Sequence, residues 1–307
     1  MSRPLLTLVI ILLLAAACES PADLNLNEFE TKLAVISNFG PDQPVKVQIS
    51  KTQSATTGTD PEYLEDANVL LYRGNTFLEI LKLVPESPTS KPYYVTENFK
   101  PQIGELYTLK VDAPGFEQVQ ATSKIPTPAR IRGLGVSDVS VRELPQELAF
   151  AYKVSIIFED PLEASNYYHL NFYQQIWNYQ VVENDTIITG NWLRKIAFSP
   201  ETDNNSLIAY FDGGVLFDDA SFNGKAVGYS FTLETSIDPS KHLLGKMFTE
   251  LRTVSKEYYL FHNSLSRQQT SPGGPLSEPV IIYNNIENGQ GIFAGYSPSL
   301  DSAAIFR

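Results

Sequence analysis

Cys18 is the only cysteine of this 307-residue chain, and its surroundings give it a chemical role. A positive residue, Arg3, precedes an apolar run at residues 5–17, which ends in three alanines. A charged start, a short apolar run and small residues before a cleavage point are typical of a secretory signal peptide. A cysteine directly after the small residues is the pattern of a bacterial lipoprotein, whose thiol and new amino group receive fatty acyl chains. We therefore predict a signal peptide at residues 1–17 and lipid attachment at Cys18.

Two other interpretations of this segment remain open: a plain secretory signal with an incidental cysteine, and a transmembrane anchor. Lipoprotein signals usually have leucine three residues before the cysteine, where this chain has Ala15. The apolar run is shorter than the roughly 20 residues that a spanning helix needs. Stable lipid anchoring takes at least two acyl chains, which a triacylated cysteine supplies. Residues 18–30 are then a lipidated tether, of which the eleven polar residues 19–29 reach roughly 36 Å when they are extended.

The composition is that of a folded, acidic protein. Apolar residues make up 43% of the chain and charged residues 19%, which allows a sizeable core and argues against disorder. The formal net charge is -12, so the chain would repel a phosphate backbone and nucleic acid is a poor partner. The same charge argues against binding to anionic lipid through basic patches. The acyl chains must therefore hold the protein at the membrane.

No catalytic constellation stands out in the sequence. Acylation of Cys18 leaves no thiol for a disulfide, a nucleophile or a metal site. The three histidines, His169, His242 and His262, have no metal-ligand spacing, and the common catalytic and phosphate-binding motifs are missing. We therefore expect no enzyme activity, no cofactor and no bound metal. Two weaker alternatives remain. Asp212, Asp218 and Asp219 offer oxygen ligands for a calcium site, and Glu159 or Asp160 could supply an acid/base carboxylate.

Residues 31–128 are predicted to form an Ig-like β-sandwich. Residues 45–50 alternate apolar and polar side chains, which is the period of a half-buried strand. Two hairpins are expected, with turns at residues 73–75 and 113–115. About seven short strands in about 100 residues, separated by turns, are typical of such a sandwich. Two prolines, at positions 126 and 128, mark its end.

Residues 129–307 are predicted to form a larger β-rich domain with one α-helix. The helix is expected at about residues 255–269, where Ser255 can cap its first turn. Its apolar stripe includes His262, which we expect to be packed rather than catalytic. A final strand at residues 291–296 is expected to close this domain.

One strand candidate, residues 167–179, carries aromatic side chains suited to binding a ligand. Its odd-numbered face includes Tyr173, Trp177 and Tyr179, and Trp192 follows nearby in the sequence. Aromatic faces stack on sugar rings or grip a peptide with a large contact area. The alternative is cross-strand aromatic pairing under a covering element, which is common in sheets. We therefore treat these four residues as candidate ligand-binding residues, with structural pairing as the more frequent outcome.

Several blocks of the sequence resemble a known family in order and spacing. They are NNIENGQGIFAGYS at residues 284–297, VKVQIS at 45–50, DANVLLY at 66–72, PQIGELYTLKVDAPGF at 101–116, FEDP at 158–161, FNGK at 222–225 and SKEYYLFHNSL at 255–265. The chain resembles a family of Bacteroidetes outer-membrane lipoproteins known as domain of unknown function number 4249. The resemblance implies anchoring in the outer membrane and a tendency to accompany TonB-dependent receptors. It implies no catalytic residues.

The leading functional hypothesis is a non-enzymatic outer-membrane lipoprotein, held by lipid at Cys18, that acts as an accessory or binding subunit beside a TonB-dependent transporter. One alternative is a surface lipoprotein that binds glycan or peptide on its own. Another is a hydrolase with an unrecognised carboxylate site. The tether is long enough to work on either side of the outer membrane, so the periplasmic and the surface face both remain open.

Overall fold

The computed structural model describes residues 30–53, 60–162, 165–198, 207–210, 213–270 and 280–306. Within these ranges the chain forms three β-sheets and one α-helix. This architecture confirms the predicted mainly β class. The predicted signal peptide, Cys18 and the tether up to residue 29 lie outside the described residues and stay predictions.

The first eight strands form an N-terminal β-sandwich. Their bounds are β1 Leu33–Phe39, β2 Lys46–Lys51, β3 Asn68–Arg73, β4 Thr76–Ile80, β5 Lys82–Val84, β6 Tyr93–Val95, β7 Leu106–Asp112 and β8 Val119–Lys124. β1, β2, β6 and β5 lie side by side, and β4, β3, β7 and β8 form the facing sheet. Both predicted hairpins are present, β3–β4 with Gly74 in its turn and β7–β8 with Gly115 in its turn.

Apolar side chains that alternate along these strands fill the N-terminal core. Val47 and Ile49 are buried as the period-2 pattern predicts, and Leu109 faces them from the second sheet. Phe39 stacks on Phe293, with ring centroids 4.4 Å apart. Phe293 comes from the far end of the chain, so the first sandwich is complete only when the last strand has joined it.

The remaining strands and the helix follow residue 129. Their bounds are β9 Arg130–Glu143, β10 Leu148–Glu159, β11 Tyr167–Val182, β12 Asp185–Ile196, β13 Ile208–Ala209, β14 Val215–Asp218, β15 Ala226–Ile237, β16 His242–Val254, α1 Lys256–Thr270 and β17 Gln290–Ala303. β9, β10 and β15 form a three-stranded sheet, whereas the other strands extend the sheet begun by β1. These two sheets enclose a second core rich in buried rings, including Phe158, Tyr168, Phe172 and Phe217.

The last strand, β17, belongs to both halves of the molecule. Up to Gly295 it runs parallel to β1, and from Tyr296 it pairs antiparallel with β16. Residues 291–296 were expected to close the C-terminal domain; Ile292 and Ala294 do pack against α1, and up to Gly295 the same segment also pairs with β1 and completes the N-terminal sandwich. The large sheet therefore runs without a break across the boundary predicted near residue 128.

The helix α1 lies within one residue of its predicted bounds. The hydroxyl of Ser255 accepts a hydrogen bond from the backbone N–H of Tyr258 at 3.3 Å, which confirms the predicted cap. The buried side of α1 packs on the large sheet, where its contacts include Leu216, Val254, Ile292 and Ala294.

Candidate functional site

The outer face of the large sheet is covered by α1 over only part of its area. Side chains alternate across a strand, so odd-numbered residues of β11 point outward, away from the core. Tyr167 and His169, at the start of β11, lie against Tyr259 and Tyr258 of the helix. Farther along β11 the outward side chains are only half-buried, and Trp177 is one of them. This uncovered half is where the structure offers a surface to a partner.

Five outward-facing residues from four adjacent strands form what we call the open patch: Tyr173, Trp177, Leu193, Leu243 and Leu300. Trp177 lies opposite Leu243, and Leu193 lies opposite Gln175 next to Tyr173 and Trp177 on the same face. Leu300 pairs with Glu250 on the neighbouring strand. The three leucines are 51%, 41% and 72% exposed, in chain order. The patch is therefore an apolar, aromatic surface in contact with solvent.

Gly245 shapes the centre of the open patch. A Cβ atom at this position would lie 2.7 Å from both the Trp177 Nε1 and the Gln175 Oε1 atoms. These side chains therefore lie directly over the backbone of β16, which only glycine permits at this distance. The glycine therefore lets the Nε1 edge of the indole approach the backbone of β16 closely.

The structure separates the four candidate ligand-binding residues. Tyr173 and Trp177 are in the open patch, and Tyr179 lies farther along the same face, with its hydroxyl donating to the carbonyl of Pro239 at 2.5 Å. Trp192 pairs with Ile176, a core residue, and so lies on the opposite face, edge-on to the His242 ring at 5.1 Å. The aromatic residues therefore do not form a single site, and ligand binding by them stays a prediction.

Sequence reasoning missed the leucines of the open patch. Leu193, Leu243 and Leu300 come from three strands that are distant in sequence, and only strand register places them on the same face of the sheet. A one-residue shift of register would move each to the other face. No local pattern marks these leucines, except that they are apolar residues in segments that are otherwise exposed.

A buried polar cluster lies beside the open patch, under the helix. Glu250 bridges Arg252 at 3.0 Å and accepts a hydrogen bond from the Tyr173 hydroxyl at 3.0 Å. The Arg252 guanidinium also lies 4.6 Å from the ring centre of Tyr296. Burial, followed by the Glu250 carboxylate, raises the pKa of Tyr173 to about 12. Tyr173 is thus a neutral donor that joins the open patch to this cluster.

The two histidines in this region are buried and neutral. His169 Nδ1 lies 2.9 Å from the Tyr258 hydroxyl, and burial lowers its pKa well below the usual value. The amide of Asn38 donates to His262 Nε2 at 3.1 Å, so the Nδ1–H of that ring donates to Tyr210 at 2.8 Å. Burial, with a smaller effect of Arg252, lowers the pKa of His262 to about 4. Protonation of Nε2 would place its N–H opposite the amide N–H of Asn38, so that two donors would face each other.

This arrangement predicts a loss of stability in acid. The unfolded His262 takes up a proton below its ordinary pKa of about 6.5, whereas the folded residue does so only near 4. The contribution of His262 to stability is therefore full above pH 6.5 and declines as the pH falls towards 4. Urea unfolding at pH 7.5 and 4.5 should show that His262→Gln loses about 2–3 kcal/mol less than the wild type.

Gln268, an exposed residue of the same helix, provides the control. Gln268→Ala changes no titratable group and should show the same loss between the two pH values as the wild type. Equal pH dependence for His262→Gln and the wild type would contradict the neutral, buried assignment of His262.

The acidic residues that were candidates for calcium binding or acid/base chemistry form hydrogen bonds and an ion pair within the fold. Asp160 accepts hydrogen bonds from the Tyr168 hydroxyl and from the Gly224 N–H. Glu159 forms an exposed ion pair with Arg132 at 2.5 Å. Of the residues proposed for calcium, Asp219 accepts from the Asn166 N–H, and Asp212 lies outside the described residues. In the described ranges, no three acidic, histidine or cysteine residues form a metal-binding group.

Shallow clefts elsewhere are lined by groups that hold the fold together. One lies between β8 and the start of α1, where the Ser123 hydroxyl oxygen lies 3.1 Å from the Ser255 hydroxyl and 3.3 Å from a Glu257 carboxylate oxygen. These bonds fasten the helix to the N-terminal sandwich. The described part of the chain contains no helix that is both long and apolar enough to cross a membrane.

The fold and site define a class: a two-part β-sandwich protein with an exposed apolar face. The sequence matches the family model described as "Domain of unknown function (DUF4249)" over residues 19–300, and the chain belongs to this family. No protein with curated annotation matches the sequence. Among solved structures, the three N-terminal domains of the bacteriophage RB49 Highly Immunogenic Outer Capsid protein (Hoc) are similar at 13% identity and a TM-score of 0.20. That match covers 90% of this chain and 70% of the other.

Proposed function

We propose that this protein is a non-enzymatic lipoprotein of the outer membrane that serves as a binding subunit beside a TonB-dependent transporter. The open patch carries the proposal, because a cluster of exposed leucines with a tyrosine and a tryptophan is typical of a protein-binding surface. The predicted acylation of Cys18 supports the anchoring. The resemblance to lipoproteins that accompany such receptors supports the class of partner.

The composition of the open patch favours a surface that binds a protein over one whose apolar residues are exposed without a role. Leu300 is 72% exposed and Leu193 is 51% exposed, and single exposed leucines are ordinary. Here, however, Leu193 and Leu243 lie next to Trp177, whose indole lies over Gly245, and Leu300 extends the same face farther along the sheet. Apolar residues around a fixed aromatic side chain form the usual centre of an interface, where water is excluded on binding.

The second candidate function is binding of a glycan or peptide by the protein alone. Tyr173 and Trp177 lie on one face of β11, four residues apart, which corresponds to about 13 Å along a strand. This spacing would allow two sugar rings or two side chains of an extended peptide to contact them. Tyr173 and Trp177 are half-buried, so they expose little aromatic surface for stacking, whereas the leucines of the open patch expose more surface for contact with a protein.

Co-purification tests the leading proposal. Affinity-tagged protein is extracted from its native membranes in a mild detergent and its stable partners are identified. We expect a β-barrel receptor in near-equal amount, and isolation of the protein alone would contradict the proposal. A Cys18→Ser form should leave the membrane fraction, which tests the anchor separately. Binding to a glycan or peptide by the isolated protein, without a receptor, would support the second candidate.

A further inference from the structure

A two-stranded arm projects from the end of the large sheet beyond the open patch. β11 pairs with β16 as far as Asn178, opposite His242, and the Tyr179 N–H still donates to the Lys241 carbonyl; in the described residues, β12 is the only strand that pairs with β11 beyond this point. The arm turns at Glu183 and Asn184, whose φ angles are 51° and 72°. Two successive residues with positive φ form the type I′ turn that joins hairpin strands closely.

The arm exposes apolar side chains on both of its faces. Val181 and Ile188 lie on the face of the open patch, where they are 63% and 46% exposed. Val182 and Ile187 lie on the opposite face and are both 48% exposed. A two-stranded hairpin with no covering element is marginal in water. A cleft can contact both apolar faces of the arm, whereas a flat surface can contact only one. The arm therefore fits a cleft better than a flat surface.

The strand registers place this arm at the end of the molecule opposite the predicted tether. The chain enters β1 at Leu33, which lies beside the start of β17. The pairings of β17 with β16, and of β16 with β11, place each successive strand farther from Leu33 along the strand direction. The turn at Glu183 lies at the far end of this series. Measured along the strands the separation is at most roughly 75 Å, since each residue advances about 3.3 Å. The arm and the point where the chain enters β1 therefore lie at opposite ends of the large sheet.

The charges at the tip identify the chemistry of the occupant. Glu183 and Asp185 flank the turn, between the two pairs of apolar residues. Carboxylates at the leading end disfavour entry into an anionic lipid surface and favour a protein cleft with basic groups at its base.

We infer that the arm, residues 179–188, inserts into an apolar cleft with basic groups in an extramembrane part of the partner protein. This inference rests on the proposed function and specifies where the partner is held: far from the anchoring membrane rather than against the lipid-embedded wall of a barrel. The open patch then contacts the rim of the same cleft.

Site-specific photo-crosslinking tests the position of the arm. A photoreactive residue replaces Asn184 at the tip or, as the control, Asn288 at the tether end, in the full chain in native membranes. We expect the Asn184 position to crosslink to the partner's extramembrane part and the Asn288 position not to. Crosslinks from Asn288 alone, or from Asn184 to membrane lipid, would overturn the inference. If the wild type has no partner at all, the proposed function itself fails.

Threonine substitutions test the apolar contacts without breaking the hairpin. Val181→Thr with Ile187→Thr keeps β-branched side chains, one on each face, and should lower the retained partner about 10-fold. Ile80→Thr, on the N-terminal sandwich, where Ile80 is 56% exposed, is the matched control and should retain wild-type binding. Full binding by the arm variant, with the wild type still bound to its partner, would overturn the role of the arm while leaving the proposed function intact.

Discussion

Gly291→Ala should destabilise the protein by about 3–5 kcal/mol. Gly291 has a φ of 116°, a region that residues with a side chain rarely adopt. A Cβ atom there would lie 2.0 Å from the carbonyl oxygen of Val35, in the paired strand β1. Neither backbone can move without opening the parallel ladder that joins the two ends of the chain. The variant therefore weakens the one strand that both halves share.

Denaturant unfolding of Gly291→Ala and Gly135→Ala measures this effect. Gly135 is also in a strand, has no positive φ, and has no atom within 4 Å of the position that a Cβ would occupy. The control should therefore unfold within about 1 kcal/mol of the wild type. A Gly291→Ala protein as stable as Gly135→Ala would show that β17 is not held against β1 as described.

Arg252→Met should destabilise the protein by about 3 kcal/mol, because it leaves the Glu250 carboxylate buried without its cation. The Glu250 side chain is 12% exposed and would retain only the Tyr173 hydroxyl as a hydrogen-bond donor. Burial opposes the charge on Arg252, but Tyr258 and Glu250 outweigh this and raise its pKa. The guanidinium is thus charged at any ordinary pH, and its loss cannot be offset by titration.

A double variant separates the ion pair from simple packing. Arg252→Met with Glu250→Gln removes both charges, so most of the lost free energy of unfolding should return. Unfolding in urea of the two single variants and the double variant gives the coupling between them. Additive losses, with no recovery in the double variant, would contradict the account of Glu250 as a carboxylate that depends on Arg252.

Local patterns predicted the elements that depend on nearby residues. The hairpin around Gly74 and the helix capped by Ser255 have turn and capping residues within a few positions of the groups that they bond. The alternation that includes Val47 likewise placed a strand and its buried face. Each of these features is specified within about ten residues.

The features that the sequence did not reveal depend on distant pairing. The parallel contact of β1 with β17 joins residues more than 250 positions apart, and no period or turn residue signals it. The same holds for the open patch, since Leu300 meets β16 only through that register. The arm was also missed, because its turn has Glu183 and Asn184 where glycine would have marked a hairpin.

Binding of the native partner by a variant of the open patch tests the central claim most directly. The variant combines Trp177→Ala with Leu300→Ser, which leaves both cores and the arm unchanged. Co-purification from native membranes should retain at least 30-fold less partner than the wild type, the equivalent of about 2 kcal/mol. Trp177→Ala removes a half-buried side chain and costs some stability, so the variant should still unfold in one cooperative transition and remain folded in the purification buffer. Undiminished retention of the partner by this folded variant would contradict the assignment of the open patch as the binding surface.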